Sequence, residues 1–239
     1  MSNIRLFFSE SLSLNLTAKL DKSQSHYVNK VMRVKVNETF SLFNTSGEWE
    51  AKIKEVSKGI VEFNIIKQLR EKKNTKEIWL AFSPIKSNYF NFMIQKATEL
   101  GITKFIPLIT DRTIVRKINY ERIKKIIIES SEQSNRISVP DINKLENLQI
   151  FLNNFPKEGN LIFCDINSKT SNLKNILSKN IKRPICILIG PEGDFSENER
   201  QSIIDMDQSF SLSIASNILR VETAAIAAIS IVNFHLGKS

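Results

Sequence analysis

The stretch LIGPEGDFSENE, residues 188–199, decides the fold. An apolar run, ICILI (185–189), feeds directly into Gly-Pro-Glu-Gly, and the chain then turns polar and acidic. A continuous apolar run bounded by a glycine turn reads as a strand buried on both faces, the signature of a parallel sheet covered by helices. The turn therefore leaves the sheet at the strand's carboxyl end, where open α/β sheets bind ligands. Ser196 and Glu199 supply the S-x-x-E pattern of a capping box, so a helix follows, reaching about Met206.

The glycines limit what this turn can be. The chain has seven, and only Gly190 and Gly193 fall within five residues of each other. There is no GxGxxG dinucleotide loop, no GxxxxGK[ST] phosphate loop and no GxSxG elbow. The flanking glycines permit close backbone approach to a ligand, and Pro191 fixes its own φ. A helix start favours anions, but Glu192, Asp194, Glu197 and Glu199 already supply negative charge. A neutral or cationic ligand fits better than a phosphate. On its own the stretch also fits a plain structural turn.

Outward from this turn the chain alternates strands and helices. IWLAFSPI (78–85), KFIPLIT (104–110), LIFCDI (161–166), PICILI (184–189) and SFSLSIA (209–215) read as strands. NYFNFMIQKATEL, capped by Ser87 and ended by Gly101, reads as a helix, as do 119–135, 147–155 and 171–180. The last helix, Val221–Leu236, opens on Arg220, Glu222 and Thr223 and continues as TAAIAAISIV, apolar on nearly every face. Such a helix requires burial on all sides, which suggests packing against its own domain and a partner subunit; a simple core helix also accounts for the alanines, but not for the charged opening.

Residues 4–69 read differently. IRLFF, LNLTAKL, TFSLF, EWEAKIKEV and GIVEFNIIKQL alternate with period two, with one short helix near SQSHYVNKVM (23–32). Several short strands with few helices predict a small β-barrel, a form common among RNA-binding modules. The charged stretch REKKNTKE (70–77) marks the boundary, giving an N-terminal barrel over 1–72 and an α/β domain over 73–239.

The net charge is +9, split as +4 in residues 1–72 and +5 beyond, which favours a polyanionic partner. Cys164 and Cys186 sit inside apolar runs, and His26 and His235 lie far apart, so no metal site is expected. No run approaches membrane-spanning length and the N-terminus lacks a signal-peptide pattern, so a cytoplasmic protein is expected.

IGPEGDFSENE followed by SIASNILRVETAAIAAI resembles the C-terminal signature of the SPOUT methyltransferases, and more narrowly the 16S ribosomal RNA (uracil(1498)-N(3))-methyltransferase family. IQKATELGI (94–102) with KFIPLITDRT, ESSEQSNRISVPDI (129–142), RLFF and HYVNKVMRV (26–34) resemble further segments of that family in the same order. The resemblance spans essentially the whole chain. Where the family usually has a second Gly after GPEG this chain has Asp194. Where the family usually has Gly and Arg before ILR it has Ala215 and Asn217.

The resemblance implies a PUA-like barrel followed by a parallel-sheet domain whose C-terminal segment forms a trefoil knot. It implies a homodimer that binds S-adenosyl-L-methionine, acting on N3 of a uracil in 16S ribosomal RNA or the small ribosomal subunit. Gly190, Pro191, Glu192, Gly193, Ile214, Ala215, Ile218, Leu219 and Thr223 are then expected to line the cofactor pocket. Arg220 is the expected substrate-facing cation, Glu222 the group that orients it, and Glu192 a weaker candidate for the base. Arg112, Arg116, Lys117, Arg122, Lys124 and Lys125, with Arg5, Arg33 and Arg136, are the candidate RNA contacts. Another ribosomal or transfer RNA base, or an RNA-binding assembly factor with little catalysis, are the alternatives.

Overall fold

The computed structural model describes residues 4–72, 76–168 and 183–237, and of Ser87 the backbone alone. The helix expected at 171–180 lies outside the described residues. The chain forms two compact units, one of Met1–Asn74 with Ser131–Val139, the other of Thr75–Ser130 with Pro140–Ser239.

The first unit holds β1 (Arg5–Phe7), β2 (Thr17–Lys19), α1 (Lys22–His26), a single π turn (Tyr27–Val31), β3 (Thr39–Asn44), β4 (Gly47–Ser57) and β5 (Ile60–Arg70). The strand order is β1-β3-β4-β5-β2, with β1 parallel to β3 and the other ladders antiparallel. Period-two patterning explains the inner face, since Val61, Phe63 and Ile65 alternate along β5 and are all fully buried. Phe63 sits at the centre, edge-on to Phe8 and Phe40 at 5.4 and 5.9 Å. Leu6, at one end of the strand order, and Ala18, at the other, pack on this same cluster, which rolls the sheet around its core. The β3–β4 turn needs a glycine: Gly47 has φ +121, and a Cβ there would lie 2.5 Å from the Arg70 carbonyl oxygen.

The second unit contains β6 (Ile78–Phe82), α2 (Ser87–Glu99), β7 (Lys104–Ile109), α3 (Tyr120–Gln133), β8 (Asp141–Ile142), β9 (Glu146–Asn147) and α4 (Leu148–Asn154). It continues with β10 (Asn160–Cys164), β11 (Ile185–Ile189), α5 (Glu197–Ile204), β12 (Ser209–Leu212) and α6 (Val221–Leu236). The last residues of α3, from Ser131, count with the first unit. The sheet runs β12-β10-β11-β6-β7-β8 with β9 beside β7, and every ladder among the described residues is parallel. All five residues of β11 are buried, as a central strand covered on both faces requires. Ala81, Cys186, Leu188, Leu161 and Phe163 pack with Leu148, Phe151 and Leu152 of α4 and Ile203 of α5. The alternate positions point to the other face, where Phe82 meets Phe90 of α2 at 5.6 Å.

Several boundaries depart from the sequence reading. β6 ends at Phe82 rather than Ile85, and β12 ends at Leu212 rather than Ala215, because Ser213, Ile214 and Ala215 turn away to line a cavity. α2 is preceded by Lys86 at the N-cap, with no side-chain cap, and Ser87 is its first helical residue. The two-residue strands β8 and β9 are too short to carry any periodicity in the sequence. α6 buries one face, Val221, Ala225, Ala228, Ile229 and Val232, while Ser230 and Phe234 stay exposed, so a single chain does not cover it on all sides. Among the described residues, no helix is long and apolar enough to cross a membrane.

Candidate functional site

β10, β11 and β12 end side by side, and each hands the chain to an irregular segment at the carboxyl edge of the sheet. Together those segments enclose a cavity of about 760 Å³. Its walls are residues 164–166 from the end of β10, 189–194 from the end of β11, and 212–215 with 217–222 from the end of β12 into the first turn of α6, joined by Lys86, Tyr89 and Ala224.

The Gly-Pro-Glu-Gly loop is built from local interactions. The Asp194 amide donates to the Pro191 carbonyl at 3.0 Å, closing a tight turn. Phe195 then drops into the core, edge-on to Phe163 at 5.3 Å, and anchors the loop by apolar burial. Gly190 lies over that ring, where a Cβ would come within 2.8 Å of it. The predicted capping box is present: the Glu199 amide donates to Ser196 Oγ, and the Ser196 amide donates to Glu199 Oε2 at 2.9 Å.

A neighbouring turn braces the same loop. Glu199 Oε1 accepts the Asp111 amide at 2.8 Å, and Ser196 Oγ donates to Asp111 Oδ2 at 2.5 Å. Arg112 Nη1 donates to the Gly193 carbonyl at 2.7 Å.

Two carboxylates are buried in the cavity wall. Asp165 is 3% exposed, accepts Arg200 Nη2 at 2.7 Å, and also accepts the Asn167 amide at 2.9 Å. The hydrogen bond from Arg200 to Asp165 raises the Arg200 pKa. Glu222 is 8% exposed, and no ion pair joins it to Arg220 among the described residues. Arg220 is the N-cap of α6, is exposed, and holds its guanidinium 5.4 Å from the Tyr89 ring centroid. Cys164 also lines the cavity, yet burial pushes its thiol up to about 12, and burial raises that of Cys186 as well.

Of the nine residues expected to hold a cofactor, Gly190, Pro191, Glu192, Gly193, Ile214, Ala215, Ile218 and Leu219 all line this cavity. Thr223 does not: it is exposed on the first turn of α6. Arg220, Glu222 and Glu192 line it too, though Glu222 does not orient Arg220 by direct contact. Sequence reasoning missed Lys86, Tyr89 and Asp165. Asp165 had a usable signal, since it follows a buried parallel strand at the same sheet edge as Gly190.

The candidate RNA contacts separate by burial. Arg112, Arg116, Lys117, Arg122, Lys124 and Lys125 are all exposed, as is Arg33 in the first unit. Arg5 is internal. Its Nε donates to Glu48 Oε1 at 3.0 Å, its Nη atoms donate to the Ser131 and Arg136 carbonyls, and it stacks 3.7 Å from the Phe43 ring centroid. A guanidinium consumed by such a network is scaffold, which corrects the surface placement expected from sequence. Arg136 is partly enclosed, and desolvation lowers its pKa to about 10.

The chain matches the model of an RNA methyltransferase domain over residues 71–233 and that of an RNA methyltransferase PUA domain over 20–66. Among curated proteins it is 37% identical to ribosomal RNA small subunit methyltransferase E of Rickettsia conorii, covering 95% of this chain and 93% of that one. The corresponding protein of Buchnera aphidicola is 30% identical over 98% and 96%. Among solved structures it resembles the Neisseria gonorrhoeae ribosomal RNA small subunit methyltransferase E bound to S-adenosyl methionine. The TM-score there is 0.86, with 30% identity and 96% of each chain covered.

Proposed function

Because the chain belongs to the RNA methyltransferase family, we propose that it transfers a methyl group from S-adenosylmethionine to 16S ribosomal RNA, at N3 of the uracil in position 1498. The observation that carries this reading is the cavity at the ends of β10, β11 and β12. Its residues fit the cofactor: small and apolar residues, among them Gly190, Gly193, Ala215, Ile189 and Leu212, suit an adenosyl group, and the exposed Glu192 and the buried Glu222 suit a cation.

When bound, S-adenosylmethionine supplies an electrophilic methyl on a sulfonium. The chain's own residues do the rest. The loop at 190–194 and the segment at 214–219 hold the donor, and water is kept from it by the apolar side chains of Ile189, Leu212 and Val221. Arg220, exposed beside Tyr89, faces the uracil and offsets the negative charge that develops as N3 loses its proton. Glu192, exposed on the same loop, and Glu222, buried behind Arg220 in sequence, are the carboxylates available to accept that proton.

Residues 1–72 are the RNA-binding barrel in this reading, and 73–239 the transferase with a knotted C-terminal segment. Arg33 and the exposed run of cations from Arg112 to Lys125 meet RNA phosphates. A homodimer is supported by the exposed apolar side chains Tyr89, Phe92, Ile218 and Phe234 on α2 and the C-terminal segment. The left-handed backbone of Asp194 preserves the loop geometry that glycine would supply, which favours an active enzyme over a non-catalytic assembly factor.

Calorimetric titration with S-adenosylmethionine tests the reading. Saturable one-site binding at micromolar cofactor is expected; no heat up to high micromolar concentration defeats it.

A further inference from the structure

Arg112 sits in the exposed basic run that reads most simply as a phosphate-binding surface. Its geometry says something more specific. Nη1 donates to the carbonyl of Gly193 at 2.7 Å, and Gly193 belongs to the loop that walls the cavity. A Cβ built on Gly193 would rest 3.6 Å from both Cβ and Cδ of Arg112, so the aliphatic stem packs along the glycine as the guanidinium holds its carbonyl. The turn that carries Arg112 is itself fixed. The Thr113 amide donates to the Thr110 carbonyl at 3.1 Å, and the Thr110 amide donates to Thr113 Oγ1 at 2.8 Å. Asp111 is tied to both members of the capping box, Ser196 and Glu199, just beyond the loop.

From this geometry we infer that Arg112 is a positioning residue for the cofactor loop, and that it couples RNA binding to cofactor binding. The inference rests on the function proposed above. One guanidinium donor is committed to Gly193, and the side chain remains exposed, so its other donors face solvent, where an RNA phosphate can reach them. A phosphate on the outer edge fixes the guanidinium, and the fixed guanidinium holds the Gly193 carbonyl and the loop in its ligand-ready shape. By linkage, cofactor binding tightens RNA binding by the same factor.

The test is calorimetry of S-adenosylmethionine with the purified full chain in the absence of RNA. Arg112→Ala is expected to raise the cofactor Kd by about ten-fold, the size of one lost charge-assisted hydrogen bond. Arg112→Lys, which retains a donor, is expected to recover most of that loss, with the ligand-free melting temperatures of both variants close to wild type. An alanine variant that binds S-adenosylmethionine within two-fold of wild type overturns the inference, since a residue acting only on RNA phosphates leaves cofactor affinity untouched. Should the alanine variant fail to fold, Arg112→Met, which keeps an aliphatic stem without a donor, is judged by the same threshold. Wild-type protein that takes up no cofactor removes the proposed function as well, whereas wild-type binding with unchanged variants removes this inference alone.

Discussion

The Phe195 amide donates to the Asp194 carboxylate at 2.8 Å while Asp194 occupies the left-handed region at φ +62. Aspartate is among the few residues other than glycine that enter this region readily, because its short side chain bonds locally. The carboxylate thus compensates, at the end of the Gly-Pro-Glu-Gly turn, for the strain that a glycine would avoid. Asp194→Gly loses the hydrogen bond and the strain together and should change stability by less than about 1 kcal/mol. Asp194→Val keeps the strain without the bond and should cost about 2 kcal/mol or more. Denaturant unfolding of the two variants measures the difference, and equal losses would deny the conformational argument.

Gly190 makes the opposite case. A Cβ there meets the Phe195 ring at 2.8 Å, and that ring is wedged against Phe163. Gly190→Ala should therefore destabilise by about 1–3 kcal/mol through overpacking and weaken cofactor binding as the loop shifts. A melting curve and a titration on one sample read both. An alanine variant as stable as wild type would mean that Phe195 can move aside.

Arg220→Ala should leave S-adenosylmethionine affinity within about two-fold while methyl transfer falls by about a hundred-fold or more, the scale of removing one charge-stabilising group. The expectation follows from Arg220 lying exposed beside Tyr89 at the rim of the cavity. Parallel loss of binding and turnover would make it a shaper of the pocket instead.

Cys164 lines the cavity, but its thiol, at about 12, is protonated at any ordinary pH, and the Cys186 thiol is raised further. At pH 8 iodoacetamide should leave both cysteines of the folded protein essentially unmodified and alkylate both once urea unfolds it. Peptide mass mapping reads the outcome, and rapid modification of Cys164 in the folded state would show an open thiol.

The sequence revealed most where one periodicity acted alone. The all-apolar β11, the capping box of α5 and the alternation of β5 follow from local patterning that tertiary contacts reinforce. It revealed least where a side chain's fate depends on a distant partner. Nothing near Arg5 signals that Glu48 and the carbonyls of Ser131 and Arg136 will enclose it. The pairing of Asp165 with Arg200, and the grip of Arg112 on Gly193, likewise join residues far apart in the chain. The return of Ser131–Val139 to the first compact unit has no compositional mark. At the site, glycine spacing and the acidity of one loop point away from a phosphate and toward a neutral or cationic ligand, but carry no sign of Tyr89 or Asp165 on neighbouring elements.

Methyl transfer to one uracil is tested by supplying that uracil. The purified chain is incubated with isotopically labelled S-adenosylmethionine and small ribosomal subunits from a strain lacking the protein, and the 16S RNA is digested and mapped by mass. One labelled 3-methyluridine is expected, in the fragment that contains position 1498. Label at another base, or no label in RNA while the cofactor binds, would contradict it.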